Sequence, residues 1–526
     1  MLQIKKKFNL TKLLFEGNNI SSNQSALVWN NTEITRKELF NNIIKNADYL
    51  LKSGLKEGER VVLLLNDSPA IYEFFLGAIS IGAIPILINP KTKLKDLLYI
   101  LKDSKASVVV TEILSLEDVE NIYNNCPYID SRNKIIIQDR YISNLDVIKN
   151  NKEYFYPRSS KAFFLEEDEI EMSFVSRDKD APAFWQYTSG TTGKPKAVIH
   201  SQISMLSNTI NFAEKTLNIT SEDKIYSIPK MFFGYGLGNS LFFPIWTGAK
   251  VLIDDNWPNE QTIVKNIKKF KPTIFFAIPK IYKSLLNKEN LKDYENVRIF
   301  YSAGHNLNSL VNKNWKQLTG KNVTQGIGCT EIGHVYISNI PTKENINSTG
   351  IPINGFDVKI NLDSENNSGE LYVRPTYSLL GYNGKNDKNK FSNDNWYKTG
   401  DNFSKDKDGD YKFLARIDEM FKVNGRKVIP SIIESYVLER YPVLEAIYLG
   451  IEDETFSDII THLCLVLKKP EDELKLIEEI KNDLNEKFES FLRPNNITIF
   501  EGFKYNSNGK IMKKEIKDHL SQTILG

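Results

Sequence analysis

The sequence predicts a mixed α/β protein with largely parallel sheets, divided into a large amino-terminal domain of layered sheets and helices and a small α+β carboxyl-terminal domain. Three observations predict it. Apolar runs typical of buried strands, VVLLL (61–65), AIPILI (83–88), SVVVT (107–111) and TIFFAI (273–278), alternate with longer segments of helical period. At 526 residues the chain is too long for a single hydrophobic core. After a turn-rich segment at 406–416 the pattern restarts with fresh helices and strands.

The amino-terminal stretch MLQIKKKFNLTKLLFEG is basic but has neither the apolar core nor the small-residue cleavage site of an export signal, so no export is expected. The stretch 71–87 (IYEFFLGAISIGAIPIL) invites reading as a membrane span. Glu73 and the helix-punctuating Gly77, Gly82 and Pro85 favour a core helix followed by a buried strand, and no membrane partner is expected. NGKNDKNKFSNDN (383–395) reads as a solvated loop and DKDGDYKFLAR (406–416) as a hairpin. A helix near 430–440, strands near 443–451 and 461–468, and a charged helix near 470–486 follow. A boundary falls at Arg416-Ile417-Asp418, giving domains of 1–417 and 418–526. With no Gly/Ser linker there, a defined hinge is expected rather than a tether.

Charge and cysteine content narrow the function classes. Lys+Arg 68 and Asp+Glu 66 nearly cancel, which points away from nucleic acid and anionic membranes and toward small-molecule partners. Cys126, Cys329 and Cys464 are too widely spaced, and odd in number, to form a disulfide framework or a zinc set, which fits a reducing cytoplasm.

The densest chemical signal is Tyr187-Thr188-Ser189-Gly190-Thr191-Thr192-Gly193-Lys194-Pro195-Lys196, which follows APAFWQ. Glycines let backbone N–H groups approach a phosphate, hydroxyls add donors, and lysines offset negative charge, so the composition suits a polyphosphate cradle. A surface turn rich in Ser, Thr and Gly has the same composition. The residue order is not that of a Walker loop, because Pro195 follows Gly-Lys where Ser or Thr is required.

YTSGTTGKPK resembles the phosphate-binding motif of the acyl-adenylate-forming superfamily, and further motifs of that family follow downstream in the right order. The resemblance spans about residues 25–520 and implies the family's two-domain fold, with a mobile carboxyl-terminal domain. It implies that Thr188, Ser189, Gly190, Thr191, Thr192, Gly193 and Lys196 bind ATP phosphates; Ala197 stands where the family usually has Gly. In Gly326-Ile327-Gly328-Cys329-Thr330-Glu331, Thr330 would contact phosphates and Glu331 would hold Mg2+, with Ile327 replacing the aromatic residue on which many relatives stack adenine. Ser302-Ala303-Gly304 resembles the segment beside adenine, so Ala303, Gly304, Ile327 and Gly328 are adenine candidates; His305 replaces a common acidic residue and receives no catalytic role. Asp401, in YKTGD, would accept both ribose hydroxyls.

By the same resemblance Arg416 would lie near the phosphates, Asp418 would be the pivot, Gly425 would border a pantetheine tunnel, and Lys510 would be the adenylation lysine. Standing alone, a Lys after Asn508-Gly509 is an ordinary exposed turn. The implied reaction is ATP-dependent activation of a carboxylic acid, with loss of pyrophosphate, then thioester formation.

PKMFFGYGLGN (229–239) lies where the family builds its acyl pocket and lacks the Asp with which amino-acid-activating relatives pair an ammonium. FFGYGLGN with Ile332-Gly333-His334 resembles the benzoate-CoA ligase branch, which implies a pocket of Phe233, Gly234, Tyr235, Gly328, Gly333 and His334 for an aryl or other non-amino acid. His334 also reads as a satisfied structural histidine, and Phe233 either gates the carboxylate or is core. CoA and the phosphopantetheine of an acyl carrier protein present the same thiol, and no residue decides between them.

Overall fold

The computed structural model describes residues 5–112, 116–131, 134–138, 140–141, 172–188, 194–286, 291–341, 348–363, 366–384, 389–453, 458–468, 472–504 and 511–525. The chain forms two compact units, one of Met1–Lys359 and Tyr372–Lys398, the other of Ile360–Leu371 and Thr399–Gly526.

Two large sheets build the first unit. In the six-stranded sheet, Arg60–Leu64 lies between the parallel strands Ile84–Leu87 and Ala106–Thr111. Ile135–Ile137 extends one side; Pro182–Thr188 and then antiparallel Lys196–Ser201 extend the other. The nine-stranded sheet has a parallel centre of Val323–Gly328, Ile299–Ser302, Ile274–Ala277, Lys224–Ser227, Lys250–Ile253 and Ser25–Trp29, with antiparallel strands beyond each end. All four apolar runs named above are central parallel strands. Apart from Thr273 and Ile278, which are half-buried, their residues are buried because parallel sheets take helices on both faces.

The stretch 71–87 forms a helix, Pro69–Ser80, started by Pro69 and buried at every residue, followed by the strand Ile84–Leu87. Its one charge is paired: Glu73 meets Arg140 at 2.9 Å and accepts from the Tyr141 hydroxyl at 2.6 Å and the Asn46 amide at 3.0 Å. Among the described residues no helix is long and apolar enough to cross a membrane. All three cysteines are free thiols.

The second unit centres on the sheet Val443–Asp453, Asp458–Leu467, Asn496–Ile499. Alternation along its strands sends Tyr448, Leu463 and Leu465 to a core with helices Pro430–Arg440 and Glu473–Lys487, and Ile447, Leu449, Cys464 and Val466 to a core with helix Lys513–Leu525.

The units divide elsewhere than at 417/418. Strands Phe356–Asp363, Asn366–Pro375, Tyr397–Lys405 and Tyr411–Arg416 form one sheet in that order, and the division cuts the chain within the first three. The break in pattern after Arg416 marks where new elements begin, whereas packing is decided by strand pairing.

Candidate active site

The phosphate-loop motif is the connection of a hairpin. Pro182–Thr188 pairs antiparallel with Lys196–Ser201, and Thr188 lies opposite Lys196. Ser189, Gly190, Thr191, Thr192 and Gly193 lie outside the described residues. Both flanks are anchored: the Tyr187 hydroxyl donates to Asp103 at 2.6 Å, and Ala197 is buried in the core of the six-stranded sheet. The methyl group that distinguishes Ala197 from the family's Gly is therefore absorbed by that core.

The segment Gly381–Asn383 runs beside Lys196–Ser201, bonded through Ile199 N to Gly381 O, Asn383 N to Ala197 O and a bridge of Val198 with Tyr382. This brings Tyr382 to two predicted residues at once. Its ring lies 5.2 Å beneath the Lys196 ammonium, and its hydroxyl donates to Glu331 Oε1 at 2.6 Å. Tyr382 went unnoticed in the sequence because it borders the tract taken for a solvated loop.

Glu331 follows the strand Val323–Gly328, whose glycines are dictated by close backbone packing. A Cβ on Gly326 would collide with the Tyr301 hydroxyl, and one on Gly328 would stand 2.5 Å from the His334 carbonyl oxygen. Ile327, Gly328, Cys329, Thr330 and Glu331 are all partly exposed in a chain segment flanked by buried residues. Ser302 ends the neighbouring strand fully buried, Ala303 is buried after it, and Gly304 turns out at φ +88 into the open.

The predicted acyl-pocket residues assemble beside this strand. Gly234–Leu237 is a short helix that continues into a π-helical turn, Gly238–Phe242. A Cβ on Gly234 would stand 2.9 Å from Gly333 O, and one on Gly238 would stand 2.5 Å from the His334 ring. His334 is enclosed by Phe212, Tyr235 and Phe243 with ring centroids at 5.3, 5.5 and 4.7 Å. Burial drives its pKa down to about 3, so the imidazole is neutral. Its Nε2 lies 3.4 Å from Tyr235 O, and the Tyr235 hydroxyl donates to Tyr301 O at 3.2 Å. Half-buried Phe233 packs on Phe232 at 4.3 Å. Gln186, which the sequence reading passed over, reaches the same place from Pro182–Thr188.

The remaining predicted residues belong to the second unit. Asp401 and Arg416 are cross-strand partners and form an ion pair at 2.9 Å, while Arg416 also donates to Thr399 O at 3.1 Å and contacts Asp418 at 3.4 Å. Asp418 is exposed in the turn Ile417–Glu419. Asn424 and Gly425, at φ +50 and +77, make the two-residue turn between Phe421–Val423 and Arg426–Val428, and nothing lies within 4 Å of where a Gly425 Cβ would be. Lys510 lies outside the described residues; Met512 N donates to Lys504 O at 2.9 Å on either side of it.

The AMP-binding enzyme family matches residues 16–383. The chain belongs to that family. Among AMP-binding enzymes it stands with the aryl-CoA ligases. It is 32% identical to an anthranilate–CoA ligase of Pseudomonas aeruginosa, covering 98% of this chain and 97% of that one. It is 28% identical to a 4-hydroxybenzoate–CoA/benzoate–CoA ligase of Rhodopseudomonas palustris, covering 91% and 88%. The crystal structure of the anthranilate CoA ligase AuaEII in complex with anthranoyl-AMP superposes with a TM-score of 0.84 at 27% identity, covering 99% of each chain. The layered α/β architecture of this AMP-binding enzyme is therefore that of the adenylate-forming ligases.

Proposed function

We infer that the chain is an ATP-dependent ligase that activates an aromatic carboxylic acid as its adenylate and passes the aroyl group to the thiol of CoA. The observation that carries this reading is the meeting of Lys196, Tyr382 and Glu331 at the end of the hairpin that bears the phosphate motif. A cation, an aromatic hydroxyl and a carboxylate held there suit a nucleotide polyphosphate. In the first step the acid's carboxylate oxygen attacks the α-phosphorus of ATP and the bond to pyrophosphate breaks. In the second the thiol sulfur attacks the acyl carbon and AMP leaves.

Lys510 is assigned to bridge the attacking carboxylate and the α-phosphate, Thr330 and the hairpin loop to hold phosphates, and Asp401 to accept the ribose hydroxyls, with Arg416 orienting it. Ala303, Gly304, Ile327 and Gly328 are assigned to adenine, Asp418 to the pivot between the two steps, and Gly425 to the thiol's approach. A single carboxylate, Glu331, fits a Mg2+ that arrives with its nucleotide, because that ion takes one or two carboxylates and fills its shell with phosphate oxygens and water. When bound, the ion offsets charge on the departing pyrophosphate.

Pyrophosphate release measured across benzoates, other aryl acids, aliphatic acids and amino acids, with and without CoA, tests the reading. Turnover with an aryl acid that rises sharply with CoA is expected. A stoichiometric burst that CoA does not relieve would instead identify a carrier-protein phosphopantetheine as the acceptor.

A further inference from the structure

The helix Leu94–Ser104 packs Leu97, Ile100 and Leu101 into the core of the six-stranded sheet. Tyr99 and Asp103, four positions apart, lie together on its partly buried flank. Each reaches one end of the phosphate motif. At the start, the Tyr187 hydroxyl donates to Asp103 Oδ2 at 2.6 Å. At the end, the Tyr99 hydroxyl donates to the Pro195 carbonyl at 3.3 Å, and the Lys194 ammonium lies 5.6 Å from the Tyr99 ring. Burial and the Asp103 carboxylate raise the pKa of the Tyr187 hydroxyl, so it keeps its proton and remains a donor.

The same end of the helix holds a third segment. The Asn383 side-chain amide donates to the backbone carbonyl of Asp103 at 2.9 Å. Asn383 follows Tyr382, whose ring lies under Lys196 and whose hydroxyl donates to Glu331. Asp103 thus clasps the strand that enters the phosphate motif with its side chain, and the segment that carries Tyr382 with its backbone. Leu97, Ile100 and Leu101 already fix the helix, so the polar bonds of Asp103 order what they reach and not the helix itself. A loop whose ends are fixed in advance gives up less conformational freedom when a ligand orders it, and it binds more tightly for that reason.

We propose that Asp103 is a positioning residue that pre-sets the phosphate hairpin for the part of ATP that leaves as pyrophosphate. The proposal rests on the polyphosphate reading of that hairpin above. In this role Asp103 does not touch the nucleotide; it acts through Tyr187 and, by way of Asn383, through Tyr382. AMP presents the same adenine, ribose and α-phosphate, and lacks only the two phosphates assigned to the hairpin and to the cluster of Lys196, Tyr382 and Glu331. The role therefore separates ATP from AMP, whereas general support of the fold does not.

The test measures dissociation constants for ATP and for AMP, each with Mg2+, by titration calorimetry. It uses the full-length protein and its Asp103→Leu and Tyr187→Phe variants, which break the same hydrogen bond from either side and leave the bond from Asn383 to the Asp103 backbone in place. Each variant should weaken ATP about tenfold, the order for one charge-assisted hydrogen bond, while AMP stays within about twofold of the parent. The double variant should lose no more than either single one, because the two substitutions remove one shared contact. A dissociation constant does not depend on how much of a preparation is folded. Tyr187→Phe differs from the parent by a single oxygen, so a poorly folding Asp103→Leu leaves the test intact. Equal weakening of ATP and AMP would make Asp103 a support of the whole unit and overturn the proposal, as would an unchanged ATP affinity in Tyr187→Phe or additive losses in the double variant. Failure of the parent protein to bind ATP would overturn the underlying polyphosphate reading, a different result from any of these.

Discussion

Tyr382 stands between Lys196 and Glu331, and its hydroxyl donates to a Glu331 oxygen. Tyr382→Phe keeps the ring under Lys196 and removes only that bond. Hydrogen bonds to charged groups contribute about 1.5–3 kcal/mol, so ATP–pyrophosphate exchange should fall roughly 10- to 100-fold, with half-maximal activity moved to higher Mg2+. An unaltered Mg2+ titration would detach Tyr382 from Glu331's role. A second residue-scale consequence concerns acid. Burial depresses the pKa of His200 and of His334 to about 3, whereas the unfolded chain binds their protons near pH 6.5. Their stabilising contribution is complete above pH 6.5 and is lost as pH falls from there toward 3. His200 stacks on Phe184 at 4.7 Å, so His200→Phe retains the aromatic contact without the titration. Between pH 6.5 and 5 the variant should lose about 2 kcal/mol less stability to urea than the parent. Glu73, whose carboxyl is raised by burial, acts in the opposite sense in both proteins and cancels from the difference. Parallel pH profiles would refute the assignment.

At the scale of elements, the Gly234–Leu237 helix and the π-helical turn after it are shaped by backbone proximity. A Cβ on Gly236 would collide with the Lys230 carbonyl, which cannot swing aside as a side chain could. Gly236→Ala should therefore cost about 1–3 kcal/mol, visible as a lower urea midpoint with an unchanged slope. Gly320→Ala, with nothing within 4 Å and only a positive φ to strain it, should cost less. These elements also separate what could be read in advance from what could not. VVLLL, AIPILI, SVVVT and TIFFAI were readable as strands because burial on both faces leaves an uninterrupted apolar run. The phosphate motif, Glu331 and Asp401 could be singled out because each sits in a short local motif that resembles the family's. Tyr382 reaches across the fold, meeting Glu331 through a pairing 184 positions from its partner Val198. Asn395 shows the same limit: inside a tract read as featureless, it bonds Leu379 N at 2.9 Å and Tyr377 O at 2.7 Å.

For the whole molecule, the two-step reading separates the half-reactions by residue. Lys510→Ala should lower adenylation at least ~10²–10³-fold, as for loss of one charge-stabilising donor, while thioester formation from supplied acyl-adenylate stays largely intact. Equal loss in both assays would remove Lys510 from its assigned step. The way the chain is shared between the two units bears on how the protein is made. Unit one needs Tyr372–Lys398, yet Ile360–Leu371, which belongs to unit two, leaves the ribosome first. The larger unit thus cannot be completed until residue 398 has emerged, and by then a strand of the smaller one has been waiting without the rest of its unit. Such an exposed strand is a natural handle for chaperones, and a fragment of residues 418–526 would lack it altogether.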